Sequence, residues 1–455
     1  MAWDIYKNAH GKHVTTQRPI VLSVQDDSVS NIIHFRCELL MYNEVSSDYE
    51  VTGAQFNAYS DSDTGIYECN VAEYCRQYIE ESPSWYSGIW CANRNSMYFR
   101  KFVVRFNPVV LNTNGTLSVD YNQPKNSASF YAYPINTKTT ESLSTQDDYI
   151  RIDYFVCDYT NSSGISWFSS SYNRLQTNMP DGNTIDTSLA IGWITMPFIH
   201  SPISSRKLRV TITNLDNGND MVIYYYIDQL RGTMELNVHP LAFEVFYWAQ
   251  NGGSSALVLL DAAGNRIASE MRVDLMWVDI NNNSAQRGNP GKTYKLTDGS
   301  KCGAKDATTF IFRNMVGGFD FFTATGTATK KVNISGMTFD RHTAFDRNVK
   351  SNFGVMRGQH SATNLWTQRN ETFSVFSQPL TRETAEWLEE LVASPQAWVV
   401  QKIRGKFEPG GWGDDTCLQA IMIDKASFQI YSTEDNVQYI EFLYTLSEDT
   451  TTMKM

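Results

Sequence analysis

Apolar and polar positions alternate with a period of two along much of the chain, which is the pattern of half-buried strands. In the segment 33–42, apolar residues occupy every second position, and His34, Arg36 and Glu38 lie between them. The residues between this segment and Val71 are predicted as a loop. The other predicted strands are 19–24, 98–106, 130–134, 149–159, 184–193, 207–213, 221–227, 398–400, 421–430 and 437–444.

The clearest hairpin joins the segments 207–213 and 221–227 through Asp216, Asn217 and Gly218. Asparagine and glycine tolerate the positive φ that a tight hairpin turn requires. The pattern therefore predicts two adjacent antiparallel strands here.

The clearest helix is predicted over residues 381–393. Thr381 is a good N-cap, because its hydroxyl can accept from the backbone N–H groups of the first turn. Ser394 precedes a proline, which disfavours helical geometry and ends the helix. The helical spacing forms one apolar face from Ala385, Leu388, Leu391 and Val392. This face is predicted to lie on a sheet, since so short a helix is not stable alone.

A second, shorter helix is predicted after Asn70, with Glu73 completing a capping box. It ends before Ser82, which again precedes a proline. The apolar residues at helical spacing are Val71, Tyr74, Cys75, Tyr78 and Ile79.

Two other segments resemble each other. Residues 243–253 and 310–318 both read as an aromatic strand followed by asparagine and a Gly-Gly pair, and each leads into a second apolar strand, at 256–260 and 319–323. The likeness indicates either a weak internal duplication or one hairpin solution that occurs twice.

With 455 residues, the chain is expected to form two or three domains, because domains contain roughly 100–200 residues. We predict a β-rich N-terminal region over 1–235, with a possible further break near 108–148. A C-terminal α+β domain over 236–455 contains the helix 381–393. The predicted fold class is mainly β, with antiparallel sandwich or barrel-like domains and one or two short amphipathic helices packed on sheets.

The net charge of −11 is spread along the chain. This argues against nucleic-acid binding, which needs a basic stripe, and against an anionic membrane surface. No run of about 18 apolar residues and no apolar run of signal-peptide length is present. We therefore expect the protein in the cytosol in which it is made, unless it leaves within a larger assembly.

The cysteines are odd in number and scattered, which favours reduced and mostly buried thiols. They are Cys37, Cys69, Cys75, Cys91, Cys157, Cys302 and Cys417.

Candidate catalytic and metal-binding groups are few. Gly11 lies between His10 and His13 and favours a loop over a metal site. Segment 279–284 lacks the residue order of a calcium loop. The Gly-Gly pairs at 252, 317 and 410 have no phosphate-binding context. The carboxylate pairs at 147–148, 389–390 and 414–415 are more typical of solvated surface than of catalysis. We therefore assign no catalytic, cofactor-binding or metal-binding residue, and predict that the chain is not an enzyme.

Clustered aromatic residues offer another kind of site. Their types fit a protein core or interface better than a carbohydrate platform, although exposed rings can stack on sugars. The clusters are Trp85 with Tyr86, Trp90, Trp167 with Phe168, and Trp412.

Several segments together resemble a family of virion structural proteins, mostly tail and baseplate components of tailed phages and prophages of Bacteroidetes hosts, crAss-like phages included. The chain departs from this pattern at Gln176, where threonine is expected, and in its long central loops. The segments that carry the resemblance are 18–21, 33–39, 67–79, 174–180, 310–320 and 380–395.

The resemblance implies a structural subunit that assembles as a ring in the tail, baseplate or neck of a virion made in the bacterial cytoplasm. Its partners are then copies of itself and neighbouring virion proteins, with no nucleic acid, membrane or cofactor. The alternative is a carbohydrate- or receptor-binding decoration protein on the virion surface, with a groove lined by Trp85, Trp90 or Trp167. A glycan depolymerase ranks third, because no suitable carboxylate pair is identified.

Overall fold

The structure is a computed structural model. It describes the residues 3–7, 13–16, 19–26, 32–43, 46–60, 65–79, 92–95, 99–134, 156–157, 177, 179–186, 193–195, 198–199, 206–226, 233–261, 266–279, 285–297, 307–340, 362–402, 416–424, 439–447 and 451–454.

The strands of the first half are β1 (Trp3–Lys7), β2 (His13–Thr15), β3 (Val21–Asp26), β4 (Ile32–Asn43), β5 (Asp48–Ser60), β6 (Ile66–Asn70), β7 (Ala92–Asn95), β8 (Arg100–Leu111), β9 (Leu117–Val119), β10 (Lys125–Asn126), β11 (Phe130–Tyr133), β12 (Val156–Cys157), β13 (Asn183–Asp186), β14 (Trp193–Thr195), β15 (Phe198–Ile199), β16 (Arg206–Asn214) and β17 (Asp220–Tyr226).

The remaining strands are β18 (Thr233–Asn237), β19 (Glu270–Asp279), β20 (Ala285–Thr297), β21 (Thr308–Arg313), β22 (Phe319–Ala324), β23 (Ala328–Asp340), β24 (Ala362–Phe376), β25 (Ala397–Lys402), β26 (Thr416–Ile423), β27 (Glu441–Leu446) and β28 (Thr451–Lys454). The helices are α1 (Ala72–Arg76), α2 (Pro240–Gln250), α3 (Arg382–Trp387) and α4 (Glu389–Ala393).

Ten strands of the first half form one sheet, in the order β1-β3-β6-β5-β4-β8-β11-β2, with β9 and β10 also paired to β8. The pairs are antiparallel except for β2 with β11. The sheet curls around one core, so that rings from different strands meet: Phe35 lies 4.9 Å from Trp3, 5.0 Å from Tyr67 and 6.5 Å from Phe106. The barrel-like part of the predicted fold class is thus confirmed.

Strand β4 confirms the alternation predicted for 33–42, with one correction. Phe35, Cys37 and Leu39 are fully buried, as the pattern requires. Ile33 is 49% exposed, although it was placed on the buried face. A register shift between Ile32 and His34 is the reason, because a bulge reverses the direction of the side chains.

The loop predicted between β4 and Val71 is wrong, since this region contains β5 and β6. Most side chains of β5 are exposed or half-buried on both faces, so its sequence lacks a clear alternation. Pairing with β4 holds it in the sheet.

Helix α1 is shorter than predicted. The Asn70 side chain accepts from the N–H of Ala72 at 3.1 Å and from that of Ile20 at 3.0 Å. The N-cap position is Val71, without a side-chain cap, and Glu73 pairs with Arg76, so the predicted capping box does not form. Asn70 instead ties the first turn of the helix to the chain before β3.

The rest of the described chain contains four further sheets. Their strand orders are β13-β20-β19-β16-β17, β14-β18-β7, β12-β15, and β22-β21-β25-β26-β27-β24-β23 with β28 on β24. The predicted hairpin is confirmed: β16 and β17 pair from Lys207 with Tyr226 to Thr213 with Asp220. Gly218 in its turn has a φ of +75°.

The predicted strand at 243–253 is wrong, because residues 243–250 belong to α2 and residues 251–253 form a turn. Pro240 fits the first helical position, where its missing N–H is not needed. Phe243 is buried, and the Phe246 ring stacks at 4.6 Å on Tyr225 of β17. Gly252, at a φ of +62°, follows the helix end, so the glycine pair ends a helix and does not turn a hairpin.

The second of the similar segments does form the predicted hairpin, from β21 to β22. The Asn314 carbonyl accepts from Gly317 at 3.2 Å, and its side chain accepts from the N–H of Gly318 at 2.8 Å. Gly317 has a φ of +84°. The two segments therefore have different structures, and no hairpin is repeated.

The predicted helix 381–393 is confirmed as the pair α3 and α4, which meet at Leu388. The Thr381 hydroxyl accepts from the N–H of Thr384 at 3.2 Å, as expected of an N-cap. Ala385, Leu388 and Leu391 are fully buried. Short helices on antiparallel sheets are the predicted fold class.

Two hydrophobic cores lie in the described chain. The smaller one contains residues from Trp3 to Ala132, and the larger one residues from Phe99 to Tyr444. Strand β16 precedes the predicted boundary at 235/236 and pairs with β19, which follows it. The division at that boundary stays a prediction, and the strands on its two sides share a sheet.

Candidate functional site

Most of the candidate residues lie outside the described residues. These are His10, Trp85, Tyr86, Trp90, Asp147, Asp148, Trp167, Phe168, Gly410, Trp412, Asp414, Asp415 and the segment 280–284. His13 begins β2, and Asp279 ends β19. Within the described part of the chain, no group of three or more His, Cys, Asp or Glu side chains could hold a metal ion.

Three cysteines confirm the prediction of buried thiols. Cys37, Cys69 and Cys75 are buried and form no disulfide. Burial raises the pKa of the Cys37 and Cys75 thiols above the usual range. The Cys37 and Cys75 side chains are therefore unreactive core residues. The side chains of the other four cysteines lie outside the described residues.

The pair Glu389 and Glu390 corrects the expectation of a solvated acidic surface. Glu390 is buried, and its Oε2 accepts from the N–H of Met315 at 2.9 Å. A buried carboxylate needs such a partner, and the hairpin turn between β21 and β22 supplies it. Glu390 thereby joins α4 to this turn.

A second acid, Asp320 of β22, lies in the same interior region and is fully buried. The indole N–H of Trp387 donates to its Oδ2 at 3.2 Å. Burial, and then the charge of Glu390, raise the pKa of Asp320 to about 7, against hydrogen bonds from Thr177, Asn314 and Trp387 that lower it. Through Trp387 and Met315, the two buried acids connect the helices α3 and α4 to the hairpin.

Glu244 of α2 is a third buried acid with a structural role. Its carboxylate accepts from the N–H groups of Leu257 at 3.3 Å, Val258 at 3.0 Å and Leu259 at 3.0 Å. It therefore fixes the segment after α2 against the helix. Among the described acids, the pKa is raised at the buried Asp320, whereas hydrogen bonds from Ile5 and Ser269 lower the pKa of the exposed Asp4 and Asp216. The exposed shifted carboxyl groups are thus held ionised, which does not favour a role as general acid.

The surface with the clearest capacity for interaction is β23 in the eight-stranded sheet. Among the described strands it pairs with β24 alone. Residues 327–333 are all exposed, so neither face of this part of β23 is covered. Such an edge is a template for an added strand.

The hydrogen bonds show which backbone groups of β23 face outward. The N–H of Phe376 donates to the carbonyl of Thr327 at 3.0 Å, so Phe376 faces β23. By alternation, the backbone groups of Ser374 and Thr372 also face β23. The backbone groups of their partners, Thr329 and Lys331, face β24. The backbone N–H and carbonyl groups of Lys330 and Val332 therefore point to the open edge.

The side chains at this edge combine charge with apolar surface. Lys330 Nζ lies 2.5 Å from a carboxylate oxygen of Glu371 and 5.2 Å from the centre of the Phe373 ring. Val332 is 40% exposed. The edge is thus polar enough to remain in water and still accessible to another chain.

An apolar face of the same sheet lies on the side opposite the Lys330 and Val332 side chains. Phe376, Leu443 and Met422 are exposed by 39%, 37% and 59% on the neighbouring strands β24, β27 and β26. The registers of these strands place the three side chains on one face of the sheet.

Every described helix is too short or too polar to cross a lipid bilayer. No protein-family model and no curated protein matches the chain.

Among solved structures, the chain is similar to the chicken interferon gamma receptor alpha chain, with 9% identity, a TM-score of 0.16, and coverage of 65% of this chain and 96% of that one. It is also similar to a segment of two fibronectin type III domains from chicken tenascin, with 6% identity, a TM-score of 0.17, and coverage of 65% and 97%. TM-scores this low carry no argument about function, and neither the fold family nor the activity follows from them.

Proposed function

We propose that the chain is a structural subunit of a tailed-phage virion, which joins copies of itself into a ring in the tail, baseplate or neck and contacts neighbouring virion proteins. The observation that carries this proposal is the open edge of β23, exposed on both faces over residues 327–333. The assignment to a virion rests on the sequence resemblance.

The edge supports the proposal because strand addition supplies main-chain hydrogen bonds from an incoming chain. A closed ring repeats one heterologous contact, so an edge strand can pair with a different surface of the next copy. Stable contacts of this kind bury roughly 2,000 Å² or more. The adjacent apolar face of Phe376, Met422 and Leu443 adds to the area that an edge alone would bury.

The test is the mass of the full chain in solution by light scattering, with negative-stain images of the same sample. We expect closed rings or larger assemblies of the wild type. Val332→Pro removes an outward N–H without removing a bond to β24, and it should reduce assembly. Val332→Thr keeps that N–H and serves as the matched control.

Circular dichroism and thermal unfolding of each variant establish that the fold is retained. A wild type that stays monomeric at all protein concentrations would overturn self-assembly. Rings that form equally well with Val332→Pro would exclude the β23 edge as the contact.

A further inference from the structure

A groove of about 440 Å³ lies on the outer face of the N-terminal sheet, on the side opposite its core. Strands β4, β5 and β8 form the floor, and β9 forms one wall. The lining residues are His34, Arg36, Gln55, Phe56, Asn57, Val109, Leu117, Ser118 and Val119.

The strand register explains why polar groups gather in this groove. Arg36 of β4 lies opposite Asn57 of β5 and Asn107 of β8. Residues directly opposite in a sheet point to the same face, and the adjacent Phe35 and Cys37 point to the core. The accessible floor therefore presents the Arg36 guanidinium and the amides of Gln55 and Asn57, whereas Asn107 is buried.

Hydrogen bonds hold these groups in place. The Arg36 guanidinium donates to Oε1 of Gln55. The Gln55 amide donates to Glu38 at 3.4 Å, and Arg105 lies 3.7 Å from the other oxygen of Glu38. Groups fixed on rigid strands lose little conformational entropy when a ligand binds.

An exposed aromatic ring lies beside this polar floor. Tyr59 is 61% exposed, and its ring centre lies 5.5 Å from that of His34. The Asn57 amide donates to the Tyr59 hydroxyl at 2.9 Å, which fixes the position of the ring. Leu117 of the β9 wall is 56% exposed and adds an apolar contact.

The polar floor and the exposed aromatic ring together favour one class of ligand over others. Amide and guanidinium groups present paired donors and acceptors, which suit neighbouring hydroxyl groups, and an exposed ring suits the C–H face of a sugar. The charges of Arg36 and Arg105 are partly offset by Glu38, and the chain carries −11 in total, so a nucleic acid is disfavoured. Strand addition is also disfavoured at the groove floor, because β4 is paired along both edges.

We propose that this groove binds a carbohydrate of pyranose units, with Arg36, Gln55 and Asn57 contacting hydroxyl groups and Tyr59 covering one sugar ring. The groove and the β23 edge lie in different sheets. Carbohydrate binding therefore does not depend on the proposed ring, and each is tested separately.

The experiment applies the full chain to an array of neutral and uronic-acid oligosaccharides, followed by titration calorimetry with the best-binding soluble oligosaccharide. We expect binding that Tyr59→Ala and Asn57→Leu each weaken by about ten-fold, as expected for one lost stacking or hydrogen-bond contact. Tyr439→Ala is the matched control, because Tyr439 is 59% exposed and precedes β27, a strand of a different sheet. Its affinity should equal that of the wild type.

Circular dichroism of both groove variants separates lost contacts from lost folding. The absence of any bound oligosaccharide on the array would overturn the proposal. Wild-type affinity in folded Tyr59→Ala and Asn57→Leu variants would also overturn it, since binding would then occur elsewhere. Preference for uronic acids over neutral sugars would support the proposal and assign the larger role to Arg36.

Discussion

Asp320 is a carboxyl group enclosed by protein on every side, and its chemistry follows from that position. Glu390 and Tyr294 are titratable groups near it. Burial, and then the charge of Asp320, raise the pKa of Tyr294. A pKa of about 7 for Asp320, against about 4 in an unfolded chain, means that the folded protein binds this proton more tightly. Its contribution to stability is therefore complete at low pH and is lost as the pH rises from about 4 through 7.

Asp320→Asn should remove this pH dependence, because asparagine keeps an acceptor for the Trp387 indole and carries no charge. We expect the melting temperature of the wild type to fall between pH 5 and pH 8 more than that of the variant. Thermal unfolding at the two pH values measures the difference. Glu68→Gln, at an exposed position of β6, should behave as the wild type. Parallel curves for Asp320→Asn and the wild type would contradict the expectation.

Glu244 supports a different part of the chain by accepting three successive N–H groups. Glu244→Ala leaves these donors buried without an acceptor, and we expect the free energy of unfolding to fall by about 2–4 kcal/mol. Urea unfolding measures this loss. Glu244→Gln retains one acceptor oxygen and should lose less. Equal stability of the alanine variant and the wild type would show that water replaces the carboxylate.

The sequence pattern did not predict which single acidic residues are buried. Asp320 follows a Gly-Gly turn, where an acid ordinarily meets water, and its enclosure depends on Trp387, 67 positions later. Cys37 was predictable, since it shares the alternation of its own strand. The difference is between local and distant causes of burial.

The helices illustrate the same limit for whole elements. The pair α3 and α4 has an N-cap, an apolar face and a proline stop in its own sequence, and it was predicted. Helix α2 is rich in aromatic residues that fit strands as well. Its contact with β17 decides the outcome, because Phe246 packs on Tyr225. Strands β5 and β23 escaped prediction for a further reason: β5 has no consistently buried face, and residues 328–333 of β23 are exposed on both faces.

The N-cap of α3 contributes measurably to the stability of the protein. Thr381→Ala removes the acceptor for the N–H of Thr384, and we expect a loss of about 1 kcal/mol in the free energy of unfolding. Thr381→Ser keeps the hydroxyl and is the control. Chemical denaturation compares the three proteins, and equal midpoints for alanine and serine would contradict a capping role.

Across the molecule, the two cores divide the chain differently from its order in sequence. All residues of the smaller core lie before residue 133, whereas the larger core and the five-stranded sheet use both sides of 235/236. Pairings such as β7 with β18 join distant segments, and no local pattern specifies them. The fold class was therefore predictable, while the sheet orders and the groove between β4, β5, β8 and β9 were not.

The division into two cores can be tested with two fragments of the chain. We expect residues 1–134 to fold alone, because they contain a complete core. Residues 236–455 should not reach a native state alone, because β19 then loses its partner β16. Circular dichroism and limited proteolysis of the two fragments are the measurements. A protease-resistant, cooperatively unfolding 236–455 fragment would instead support a domain boundary at 235/236.

The parallel pairing of β2 with β11 has a consequence for the newly made chain. The Thr16 hydroxyl donates to the Tyr133 carbonyl across 117 positions. Among the described strands β2 pairs with β11 alone, so β2 has no strand to pair with until that distant segment exists. Loops of this length close slowly compared with hairpins. During synthesis, residues 13–16 therefore stay unpaired as a strand while more than a hundred further residues leave the ribosome. The sheet is completed only after β11 has left the exit tunnel.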